Sequence, residues 1–62
     1  MIYIGMLVHI VYPNYVKGME GYIQAQENSA RWLVRLKQTP FNPQPESIIL
    51  SLEESDFEVI EQ

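Results

Sequence analysis

The chain predicts an all-β fold. Three observations carry this. Four stretches alternate apolar and polar residues at period two or are dense in β-branched residues. Each is separated from the next by a turn or breaker cluster. No segment keeps helical periodicity long enough to be stable without tertiary support. The chain has 62 residues, enough for one domain, spanning 1–62, with one small core.

The first strand runs Met6-Leu7-Val8-His9-Ile10-Val11 behind Gly5. Met6, Val8 and Ile10 share one face, while the other carries His9, so the first three are expected to point inward. Tyr12-Pro13-Asn14-Tyr15 breaks the strand, because proline removes a ladder donor and Asn tolerates a turn. A loop follows to Gly18 and Gly21. Gly18 suits a positive φ, and Gly21 suits a bulge or a close backbone approach. The second strand spans Tyr22–Gln26, with Ile23 and Ala25 expected inward. Glu27-Asn28-Ser29 makes a polar turn.

Arg31–Lys37 is the clearest alternating segment, setting Trp32, Val34 and Leu36 against Leu33, Arg35 and Lys37. A helix capped by Ser29 would instead scatter Trp32, Leu33, Val34 and Leu36 around most of its circumference, and Pro40 would soon end it. Residues 38–47 form a proline-rich loop, with Pro40, Pro43 and Pro45 around Phe41. Ile48–Leu52 is the fourth strand, Glu53–Asp56 an acidic 3₁₀ turn, and Phe57–Ile60 the closing strand. Five strands, an early long loop and a helical turn before the last strand are the order of a small SH3-like barrel.

Charge and composition narrow the function. The formal net charge is −4, divided into +2 over residues 1–45 and −6 over residues 46–62. An excess of two positive charges is a poor nucleic-acid face. There is no cysteine, which excludes disulfides, thiolate zinc sites and protein-ligated iron–sulfur clusters within this sequence. No apolar run approaches the roughly 20 residues that span a bilayer. Residues 1–11 lack a basic flank and a cleavage site, and are expected to be strand rather than signal peptide.

No nucleophile–base pair, phosphate loop or metal set is recognisable, so no catalytic residue and no cofactor is assigned. His9 alone cannot build a zinc site and suits the solvent face of the first strand. The carboxylates Glu53, Glu54, Asp56 and Glu58 lack a calcium-loop frame and suit a solvated acidic rim. Trp32 is either core or a partner anchor. Tyr12, Tyr15 and Phe41, which sit in loops beside prolines, and Arg35 on the outer face of the third strand, are the expected partner-binding residues. Loop aromatics also line proline-peptide grooves, although few acidic residues accompany these.

Lys17-Gly18-Met19-Glu20-Gly21 resembles the Gly-Met-Glu-Gly signature of the variable (alpha) chain of ferredoxin–thioredoxin reductase. Leu33-Val34-Arg35-Leu36 resembles that family's third strand, with Leu36 where an aromatic residue is usual. Leu52–Ile60 resembles its closing leucine–acidic–apolar segment. The first loop is shorter than in the family, the insert between strands two and three is absent, and the proline loop is additional. The resemblance therefore extends to other small photosynthetic SH3-like subunits, such as those of photosystem I or the NAD(P)H dehydrogenase-like complex. It implies a non-catalytic accessory subunit, without cofactor of its own, that packs on and stabilises an iron–sulfur catalytic chain in the cytoplasm or the chloroplast stroma.

Overall fold

A computed structural model describes residues 1–37 and 48–60. The strands are β1 (Leu7–Ile10), β2 (Glu20–Gln26), β3 (Arg31–Leu36), β4 (Ile49–Glu53) and β5 (Phe57–Val59). They form one antiparallel sheet in the order β4-β3-β2-β1-β5. The all-β class and the five strands match the sequence expectation. A closed barrel does not form: among the described residues no ladder joins the edge strands β4 and β5. β5 contributes only three residues, and the ladder they form is with β1.

The sheet is nevertheless far from flat. β4 and β5 lie at opposite edges, yet only Glu54–Asp56 separates them in sequence. Four strand spacings across a flat sheet would be about 19 Å. Four extended peptide steps from Glu53 to Phe57 reach at most ~14 Å, and a 3₁₀ turn reaches less. The sheet must curl at that end for the chain to connect. The connecting turn is held by a reciprocal cap in which the Glu53 amide donates to the Asp56 carboxylate (3.1 Å) and the Glu53 side chain accepts from the Asp56 backbone. The Asp56 carbonyl accepts from the amides of Val11 (2.9 Å) and Tyr12 (3.2 Å), which fixes this turn against the chain leaving β1.

The concave face carries the core: Val8, Ile10, Val16, Ile23, Trp32, Val34, Leu36, Leu52 and Phe57, with Met6, Met19 and Leu50 packed against them. No buried residue among those described is polar or charged. Trp32 is therefore a core residue, although its indole N–H finds no acceptor among the described residues. Val16 reaches the core because the loop after β1 folds into a 3₁₀ turn, Asn14–Val16, where the sequence predicted only a break.

Gly18 has φ +90°, a region that a Cβ disfavours. At Gly21 the constraint is space: a Cβ would stand 2.8 Å from both the Arg35 carbonyl oxygen and Val34 Cγ1. One expectation is corrected. Ala25 does not face inward with Ile23. The β2–β3 register shifts between them, so Ile23 opposes Val34 while Ala25 opposes Leu33, on the other face. The extra residue, Gln24, is a bulge, and it reverses the sidedness of everything after it. No described helix is long and apolar enough to cross a membrane.

Candidate interaction surface

Ladder register decides which outward side chains meet. Leu7 on β1 stands opposite Tyr22 on β2, Tyr22 opposite Arg35 on β3, and Arg35 opposite Ile49 on β4. Opposed residues share a face with Cβ atoms about 5 Å apart. The four therefore form one row across the convex side of the sheet. Leu7 and Tyr22 are half-buried, and Ile49 is 46% exposed. At one end of the row the segment before β1 continues the pairing with β2: the Gly5 amide donates to the Ile23 carbonyl (2.8 Å), and the Ile23 amide to that of Met6 (2.9 Å). This sets Ile4, 67% exposed, beside the Gln24 bulge. Ile4, Gly5, Tyr22, Ile23, Gln24 and Arg35 enclose an open groove of about 320 Å³.

Two cations of β3, Arg31 and Arg35, and Lys37 just beyond it follow the same alternation, and their surroundings differ. Arg31 reaches Glu53 (3.5 Å) and the Ser51 carbonyl (3.2 Å). Lys37 reaches Glu20 (3.7 Å). Arg35, between them, has no carboxylate partner among the described residues, and its cross-strand neighbours are Tyr22 and Ile49. The outer pairs are each half-exposed, and such pairs contribute only about 0.2–1 kcal/mol. Their effect is mainly to neutralise the two ends of the face and leave its cation in the middle.

Tyr12 and Tyr15 are 58% and 77% exposed and belong to a different region. They lie beyond the Ile10–Phe57 end of β1, beside the Glu54–Asp56 turn, whereas Arg35 lies at the level of Leu7. Tyr12 and Tyr15 therefore belong to a patch separate from Arg35. Phe41 and the proline-rich segment 38–47 lie outside the described residues.

The acidic residues are largely engaged in structure. Glu53 and Asp56 cap the last turn, Glu53 also meets Arg31, and the Ser51 hydroxyl donates to Glu27. His9 stands half-buried between Glu20 and Glu58 in register. Among the described residues no group of three His, Asp or Glu side chains is gathered to hold a metal ion. Alternation in the sequence marks Arg35 as outward, but nothing in it marks Tyr22, Ile49 and Ile4 as its neighbours. Comparison with family models, with curated proteins and with solved structures finds no match to the chain.

Proposed function

We propose that this protein is a non-catalytic interaction subunit: an SH3-like domain that docks on a redox partner and stabilises it, in the manner of the variable chain of ferredoxin–thioredoxin reductase. The strand order, the forced curl of the sheet and the 3₁₀ turn before β5 support an SH3-like architecture. The observation that carries the interaction reading is the convex row of Leu7, Tyr22, Arg35 and Ile49, an aromatic–aliphatic strip around a cation. Aromatic residues and Arg are the residue types most enriched at protein interfaces. The resemblance around Gly18–Gly21 suggests an iron–sulfur catalytic chain as partner, in the cytoplasm or the chloroplast stroma.

A native pull-down of the full chain from its own cells tests this. Recovery of a cysteine-rich protein with the visible absorbance of an iron–sulfur cluster is the expected result. Retention of RNA that is lost as salt rises would replace the proposal with a nucleic-acid module. Capture of proline-rich peptides through Tyr12 and Tyr15 would replace it with a peptide-binding module.

A further inference from the structure

We infer that the groove beside Arg35 receives an acidic segment of a partner protein, with a large apolar side chain in the groove and a neighbouring Asp or Glu side chain on the guanidinium. The inference rests on the interaction reading above and adds the chemistry of the partner. Charge complementarity carries it. Arg31 and Lys37 already have carboxylates, whereas Arg35 has none among the described residues and projects between Tyr22 and Ile49. A carboxylate brought there by a partner would pair with Arg35 against apolar walls, where the attraction is less screened than on an open surface. A guanidinium also offers a planar fork that fits a carboxylate at two points.

The groove sets the companion group. About 320 Å³, with Ile4 and Tyr22 among its lining, is at the lower limit of small-molecule sites and suits one large side chain. A second copy of the chain is the weaker occupant. A twofold contact centred on this row would set Arg35 against its own counterpart, a like-charge juxtaposition. A free phosphate is the weaker ligand, because it offers nothing to the apolar wall that Ile4 and Tyr22 give the groove.

The test is an NMR titration of the isotope-labelled full chain with the blocked peptide acetyl-Gly-Phe-Glu-Leu-Gly-amide. Gln and Lys versions, and acetyl-Gly-Gly-Phe with a free carboxylate, serve as comparisons. The Glu peptide should shift the amides of Gly5, Tyr22, Gln24 and Arg35, and bind about two- to fivefold more tightly than the Gln peptide. Arg35→Glu should reverse the order, so that the Lys peptide binds best. Arg35→Gln should erase the charge preference and serves if the Glu variant fails to fold. Equal binding of all peptides, shifts confined to Tyr12 and Tyr15, or no shifts at millimolar peptide would overturn the inference. So would tighter binding of the free carboxylate, or self-association of the chain that Arg35→Glu abolishes. Each of these outcomes leaves the pull-down for an iron–sulfur partner to stand or fall independently.

Discussion

The two faces of the sheet are both apolar in part, but for different reasons. On the concave face Val8, Ile10, Ile23 and Val34 are fully buried, in a cluster whose buried members are all apolar. On the convex face an aliphatic–aromatic row is interrupted by Arg35 and bordered by ion pairs. The first arrangement suits permanent exclusion of water. The second suits intermittent exclusion, because a charged centre keeps the row hydrated until a partner neutralises it. On the proposed interaction reading, stability and recognition fall to alternate residues of the same strands.

Substitutions should separate the two faces. Ile23→Ala removes a fully buried side chain from the centre of the core and should cost about 2–5 kcal/mol, read as a lowered urea midpoint. In so small a domain that loss approaches complete unfolding. Gly21→Ala should cost about 1–3 kcal/mol, because the new methyl meets a backbone carbonyl and the fully buried Val34, neither of which can swing aside. A neutral or stabilising result would mean that β2 and β3 can part at this point without penalty. Asp56→Ala deletes the acceptor for the Glu53 amide and should cost about 0.5–2 kcal/mol. That loss should appear first as faster hydrogen exchange at Val11 and Tyr12, whose amides depend on the same turn. Arg35→Glu should change stability by less than about 0.5 kcal/mol while weakening partner capture. If it melted the isolated domain, the convex face would be structural and the division between the faces would fail.

The sequence made β3 legible because Arg31–Leu36 alternates without interruption, and period two maps directly onto the two faces. The 3₁₀ turn before β5 was legible in its acidic cluster and in the apolar strands on either side. The bulge at Gln24 was not, because a bulge is a mismatch between two strands and neither strand announces it alone. For the same reason Arg35 could be recognised as outward but not as the neighbour of Tyr22 and Ile49, which only register brings to it. Val16 was hidden by Pro13 and Asn14, which signal a break but not that the broken segment would turn a side chain back into the core. Tyr12 and Tyr15 follow the break after β1, Tyr15 within the Asn14–Val16 turn, but their separation from Arg35 depends on where the β1 ladder begins and ends.

β5 is three residues long, yet it completes the outer edge of β1 through pairs such as Ile10 with Phe57, partners drawn from nearly opposite ends of the chain. During synthesis β1 to β4 leave the ribosome first, and β1 then presents an unpaired ladder to the surrounding medium. Such sequence-distant pairing is slow to find. The interval before Phe57–Val59 docks is therefore the period in which a nascent chain is most exposed to strand invasion, and when an early-binding chaperone or partner would protect it most.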